Sequence, residues 1–308
     1  MDRMFLTWYA PEAIAAAMPA GILNFAVMSF FIGTAGYVST FVAQYTGAGM
    51  NERVGPALWQ GLYFSCIGGA VLAALVAPAD AIFSWVGHEK AVRENEVYYF
   101  RYLCAGAFPA IASSALSGLF TGLGRTFQVM VVTVAATALN LVLDYALIFG
   151  RMGMPEMGIR GAALATVASG VFSVVAYVSV MVRDPYRTTF ATLSGWRFDS
   201  ELFGRLVRYG MPSGVQFFLD MAGFTAFVLI VGRLGTTSLA ATNIAFNINS
   251  LAFMPMIGVG IAVSVLVGRY IGMGRPDLAT RSTYAGFFIT TVYMGTVAAL
   301  YVLVPWLF

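Results

Sequence analysis

Charge is what this sequence has least of. Only 10% of its 308 residues are Asp, Glu, Lys or Arg, against roughly a quarter in a soluble domain, too few to cover a water-exposed surface. Histidine is nearly absent, with His88 alone, which excludes paired-His zinc hydrolase motifs. The two cysteines, Cys66 and Cys104, both fall inside apolar runs and read as packed thiols rather than a disulfide framework. Lysine occurs once; the other sixteen cations are Arg, spread through the breaks between apolar runs. The net charge of +3 therefore reports membrane topology and implies no nucleic-acid partner. The opening residues are not expected to be a leader, since Met1 is followed at once by Asp2 and Arg3 and then by a short apolar stub, Met4 to Trp8.

What is abundant is apolar surface: 59% of residues are hydrophobic and the mean hydropathy is +0.80. After the stub, eight apolar segments follow at about 12–46, 55–79, 97–123, 127–150, 158–182, 210–232, 236–268 and 279–304. Each reaches the ~20 residues that a membrane-crossing helix needs. The runs are continuous, whereas β-barrel strands would be ~10-residue dyads with polar alternate positions. The predicted fold class is an all-α membrane protein, a polytopic helical bundle with the lipid bilayer as its solvent. The longest charged interruption, Arg183 to Arg208, reads as a linker whose second half, Phe198 to Arg208, mixes apolar and charged residues as an interfacial amphipathic helix would. Ten cations, among them Arg53, Arg125, Arg183, Arg197, Arg269 and Arg281, fall on the linker side, and six, such as Lys90, Arg101 and Arg160, on the other. The linker side is expected to be cytoplasmic, in a prokaryotic inner membrane.

The chain resembles itself. Val42-Ala-Gln-Tyr45-Thr-Gly47-Ala-Gly49 matches Val267-Gly-Arg-Tyr270-Ile-Gly272-Met-Gly274 at an offset of 225 residues, and the offset continues without gaps from Ala15/Ala240 through Val38/Val263 to Gly61/Gly286. It spans six helices, an even number, so the two copies should run the same way and be related by an axis along the membrane normal. The expected units are a first six-helix lobe (1–182) with its first helix truncated, a linker (183–209), and the first three helices of a second, incomplete lobe (210–308). The sequence is expected to be truncated at both ends.

Carboxylates inside apolar runs are functional candidates by default. Thr133, Thr137, Asn140 and Asp144 are spaced by four, three and four residues, one stripe on a helix. Such a stripe must face the protein interior. Asp144 precedes Gly150 by six residues and Asp2 precedes Trp8 by six, which puts both about 9 Å inside the same face. Two buried acids at one depth in parallel helices cannot both stay ionised without a cation. One H⁺ or one Na⁺ held by Asp2, Asp144 and the Asn140 amide resolves the conflict, and oxygen ligands suit it better than a transition metal. Arg3, beside Asp2, is a further candidate partner for it. Asp220, after Phe217 and Phe218 and about midway along its run, suits a cationic aromatic substrate, with a structurally bonded Asp as the alternative. Asn243 and Asn247 share a face and are either pore-lining or inter-helix glue.

Taken together, Val42-Ala-Gln-Tyr-x-Gly-Ala-Gly49, Asn140-x-x-x-Asp144, Gly161-Ala-Ala-Leu-Ala-Thr166 and the run Ala240 to Gly274 with Phe253-Met-Pro255 inside it resemble the MATE (multidrug and toxic compound extrusion) family across essentially the whole chain. The resemblance implies twelve helices in two six-helix lobes, and a monomeric secondary antiporter that exports cationic amphipathic drugs or metabolites against Na⁺ or H⁺, with no other cofactor. It implies a first-lobe cation site of Asp2, Asn140, Asp144 and Thr166, and it is the resemblance that contributes Thr166. Asp220 resembles an acidic position on helix seven, where a longer Glu would be expected. A flippase for lipid-linked saccharides, which shares the two-lobe plan, would be expected to line its cavity with several cations, and Arg3 is the only one well inside a helix. A membrane enzyme lacks His or Cys paired with acids, and a receptor or passive bundle does not account for the repeat.

Overall fold

The computed structural model describes residues 2–86, 88–232 and 234–304, and among them there are helices and turns but no strands. The first lobe begins with α1 (Asp2–Tyr9) and α2 (Pro11–Gly36), whose Pro11 occupies the first helical turn where no N–H is needed. A turn at Tyr37 leads into α3 (Val38–Gly47), followed by a short 3₁₀ turn (Asn51–Arg53) and α4 (Val54–Ala74). Next come α5 (Ala79–Val86), α6 (Lys90–Ala105) and α7 (Ala107–Gly122), the last two bent by 43° at Gly106. The lobe closes with α8 (Thr126–Phe149), stopped by Gly150 in the left-handed conformation (φ 64°), and α9 (Ile159–Met181). A loop containing α10 (Tyr186–Thr189) leads to the second lobe: α11 (Ser200–Gly232), α12 (Thr236–Gly272) and α13 (Pro276–Leu303). Among the described residues seven helical stretches are long and apolar enough to cross a bilayer, eight if α6 and α7 form one bent span.

Two boundaries differ from the sequence expectation. Helix α11 starts at Ser200, so the stretch 198–208 is not a separate interfacial helix but mostly the first turns of a spanning one. Asp199 caps it, its Oδ1 accepting from the N–H groups of Glu201 and Leu202 at 3.0 Å each. The charges tolerated there have inward partners: Arg205 donates to the Tyr45 hydroxyl at 3.3 Å and lies over the Phe41 ring. The α6 helix likewise begins seven residues before the expected segment and carries the fully buried Glu96. Cys104 is buried as expected, but Cys66 is exposed on α4.

The repeat is visible atom by atom. Gly61 lies against the Val38 side chain and Gly286 against Val263, with no room for a Cβ at either glycine. Met50 N–H donates to the Tyr45 carbonyl at 2.8 Å, and Arg275 N–H to the Tyr270 carbonyl at 2.9 Å. Gly49 and Gly274, at φ 73° and 68°, make the same left-handed turn. Across the lobe boundary the relation becomes self-complementary. Gly47 abuts the Arg269 carbonyl, while Gly272 abuts the carbonyl of Gln44, the counterpart of Arg269. A Cβ on Gly268 would lie 3.4 Å from the Cβ of Ala43, its own counterpart. Reciprocal contacts of this kind are the mark of a two-fold axis, and it passes between α3 and the end of α12.

Helix α2 packs antiparallel along α11, where a Cβ on Gly33 would sit 2.9 Å from the Gly214 Cα. The lobes therefore meet backbone to backbone at the linker end. Toward the opposite end they separate around a cavity of about 390 Å³, walled by Phe25 and Met18 of α2, Phe224 and Thr225 of α11, and Phe246 and Asn247 of α12.

Candidate functional site

Helix α8 places its polar stripe toward the first lobe. Thr133, Thr137 and Asn140 line a cavity of about 500 Å³ whose opposite wall is Thr166, Ser169 and Ser173 of α9, with Ser113, Ser114 and Ser117 of α7 between them. Residues four apart stack on one helix face, and one turn beyond Asn140 comes Asp144, fully buried. A carboxylate removed from water at such a position is costly unless a cation, proton or hydrogen bonds stabilise it.

Helix α1 lies alongside α8 and runs in the same direction. The Phe5 ring meets Tyr145 at 6.3 Å and Phe149 at 6.1 Å, and one turn on Tyr9 meets Phe149 at 6.0 Å. Asp2 is the first described residue of that helix; its side chain, and that of Arg3, lie outside the described residues, as does the side chain of Asn243.

Thr166 faces two ways. Besides the hydroxyl-lined cavity, it borders a second cavity of about 320 Å³ between α2, α6, α7 and α9, lined by Asn24, Phe25, Met28, Tyr99 and Leu103 among others. That second cavity shares Gly21 and Phe25 with the interlobe cavity, and Ala110 and Thr166 with the hydroxyl-lined one. Three cavities thus adjoin in sequence, from the space between the lobes to the polar stripe next to Asp144. Asn24 and Tyr99 are both buried at this junction, with the Asn24 amide donating to the Cys104 sulfur at 3.3 Å.

Neither Asn24 nor Tyr99 was singled out from the sequence. Asn24 is a lone amide in a featureless apolar run, and Tyr99 sits in the charged opening turns of α6. Burial of Glu96 was missed for the same reason; its Oε1 pairs with His88 Nδ1 at 2.8 Å, and among the described residues its Oε2 has no hydrogen-bond partner.

The second-lobe candidates do not converge. The Phe217 ring meets Phe25 edge-on at 6.0 Å, joining α11 to the α2 wall of the interlobe cavity. Asn247 lines that cavity beside Phe246. Asp220 is exposed in a different groove, with Arg208, Pro212 and Gln216. The phase of α11 explains the split: 221, 224 and 225 point to the cavity, and 220 is rotated away.

Comparison with known proteins agrees with this architecture. The "Probable multidrug resistance protein NorM" of Thermotoga maritima is 28% identical over 308 residues, covering 99% of this chain and 65% of that protein. Its namesake in Bradyrhizobium diazoefficiens is 31% identical over 290 residues, covering 94% and 62%. The chain thus spans less than two thirds of these relatives. A crystal structure of MATE in the straight conformation superposes with a TM-score of 0.84 at 25% identity, over 98% of this chain and 67% of that one. The model of one family, MatE, matches residues 1–146 and 212–308, two stretches that contain the two copies of the repeat. A cavity-lining polar stripe that ends at the buried Asp144, in a two-lobed helical membrane protein, and a single family model laid over both lobes, lead to one conclusion: this integral membrane protein belongs to the MatE family.

Proposed function

We propose that the protein is a secondary antiporter that exports cationic, amphipathic organic molecules, drugs or metabolites, in exchange for Na⁺ or H⁺. The observation that carries this reading is the run of adjoining cavities that leads from between the lobes to Thr166, Asn140 and the buried Asp144. In this mechanism Asp144, the Asn140 amide, the Thr166 hydroxyl and Asp2 hold the coupling ion when the carboxylates are charged, or Asp144 and Asp2 share a proton. The substrate rests between the lobes, where Phe25, Phe224 and Phe246 offer ring faces to a cation.

Substrate and coupling ion compete through the packing between them, so that binding of one favours release of the other. The linker side, which carries most of the arginines, faces the cytoplasm. In that orientation the interlobe cavity of this conformer lies toward the outside, and Phe217 and Asn247 line the substrate path. A lipid-linked saccharide flippase is the alternative, but no described residue lining the interlobe cavity is Arg or Lys, and a diphosphate would need one.

The test uses the full chain in vesicles with an imposed Na⁺ or pH gradient and ethidium as a fluorescent cation. Gradient-driven ethidium movement should occur and should be lost in Asp144→Asn, which keeps the shape and removes the charge. Gradient-driven movement that persists in Asp144→Asn refutes the coupling role, and the gradient that drives the unmodified chain identifies the ion.

A further inference from the structure

The loop between the lobes sorts its large side chains into two sets. Tyr186, Phe190 and Thr192 are turned inward and buried. Tyr186 accepts from Arg125 at 2.9 Å and packs edge-on against Phe120, and the Thr192 hydroxyl donates to the Tyr186 and Met181 carbonyls. Leu193, Trp196 and Phe198 are turned outward, with Trp196 and Phe198 each 59% exposed. Mobility does not explain that exposure, because the loop backbone is tied to α4 along its length. Gly55 N–H donates to the Phe190 carbonyl at 2.9 Å and Trp59 Nε1 to the Thr192 carbonyl at 2.7 Å. The Tyr63 hydroxyl donates to the Trp196 carbonyl, and Gln60, itself buried, bonds the Arg197 carbonyl and the Asp199 N–H.

These anchors fix the depth of the exposed aromatics. Trp59 and Tyr63 come five and nine residues after the start of α4 at Val54, about 8 and 14 Å along a helix that enters the bilayer. Rings held near the entry of a spanning helix are at the height where an interface of headgroups and acyl chains would meet them, the environment Trp favours. The same face carries exposed Arg53, Arg183, Arg187 and Arg197, and among the described residues none of them forms an ion pair. The acids beside them are Glu52, Asp184, Glu201 and Asp199, whose carboxylate is held at the α11 cap, away from an ion pair with these arginines.

We propose that the interlobe loop is a preformed membrane-interface anchor that binds anionic phospholipid: Trp196, Phe198 and Leu193 enter the acyl boundary, and Arg187 and Arg197 engage the headgroup phosphates. The loop is held to the first lobe through α4, so the anchor fixes that lobe against the leaflet while α11 carries the second. This is independent of what the protein transports and of which way round it sits.

The experiment reconstitutes the full chain in phosphatidylcholine vesicles containing phosphatidylglycerol and reads Trp196 as the difference in fluorescence between the unmodified chain and Trp196→Phe. The Trp196 component should be quenched by lipids brominated on the acyl chain and not by aqueous acrylamide. Quenching should favour brominated phosphatidylglycerol over brominated phosphatidylcholine by about fivefold at low salt. The preference should fall to about one in the Arg187→Gln/Arg197→Gln variant and in about 0.5 M salt. Quenching by acrylamide but not by brominated lipid would overturn the anchor. Equal quenching by the two brominated lipids would overturn the anionic preference.

Discussion

Gly47 and Gly272 should be two halves of one latch, and alanine at either should open it. Both glycines touch a backbone carbonyl of the opposite lobe with no space for a Cβ. A carbonyl within a helix cannot swing aside as a side-chain tip can. Gly47→Ala must therefore push the lobes apart or strain the backbone, at the ~1–3 kcal/mol typical of overpacking, toward the upper end because the obstacle is main chain. That penalty falls only on the conformer in which the lobes meet at the linker end. Three kcal/mol changes a two-state ratio by roughly 150-fold, enough to invert a population that favours closure by less. Gly272→Ala should cost the same, because the two-fold axis makes the contacts equivalent. The double variant should cost less than the sum, since one separation of the lobes relieves both clashes. Gly204→Ala is the control, because a Cβ there meets nothing and helix propensity favours Ala by up to ~1 kcal/mol. The assay is the distance between spin labels at Arg53→Cys and Arg281→Cys, exposed positions of the two lobes, with Cys66 and Cys104 replaced. Both single variants should move the distribution to longer distances and Gly204→Ala should not. Distances unchanged in both glycine variants, with the fold intact, would refute the latch.

Further outcomes follow from individual contacts. Trp59→Phe removes the donor to the Thr192 carbonyl and should lower loop stability by about 1 kcal/mol, seen as faster amide exchange in the loop without a change in α8 or α9. His88→Ala takes away the partner of the buried Glu96 carboxylate and should cost about 1–3 kcal/mol, read as a drop in melting temperature; Glu96→Gln should restore part of it. Phe25→Ala opens the shared wall of two cavities and breaks the edge contact to Phe217. It should weaken binding of an aromatic cation by about 3–10-fold, measured by fluorescence anisotropy, while Asp220→Asn, in a separate groove, should weaken it less.

Much of this fold was written in the sequence because a lipid solvent simplifies the code. Apolar runs mark spans, and the Tyr-x-Gly-x-Gly copies mark positions where only Gly tolerates a neighbouring backbone or a left-handed turn, so the repeat survives in residue identity. The polar stripe of α8 was legible as one helix face, but only its Asp144 end is buried: Thr133 and Thr137 are exposed along the open cavity, and the Thr137 hydroxyl donates to the Thr133 carbonyl of its own helix.

What escaped was governed by tertiary partners. Charges at 198–208 looked like a surface segment, yet Arg205 finds Tyr45 and Phe41 across the lobe boundary, so the helix simply continues. The path between cavities runs past Gly21, Phe25 and Ala110, residue types with no chemical signature of their own. Thr166 had no signal beyond the family resemblance, because one hydroxyl in an Ala-rich helix looks like any other until α7 and α8 are brought against it. The position of Asp220 turned on a single-residue difference in helical phase, which no periodicity fixes for a 33-residue helix.

The central claim is that one cation held at Asp144 exchanges with substrate. The most direct measurement is cation release on substrate binding: purified full chain in detergent, titrated with ethidium in weakly buffered solution with a pH indicator, and in parallel with ²²Na⁺. Saturating ethidium should displace H⁺ or Na⁺ in a fixed ratio of about one per site, and Asp144→Asn should bind ethidium and release neither. The same release from Asp144→Asn as from the unmodified chain would contradict the account.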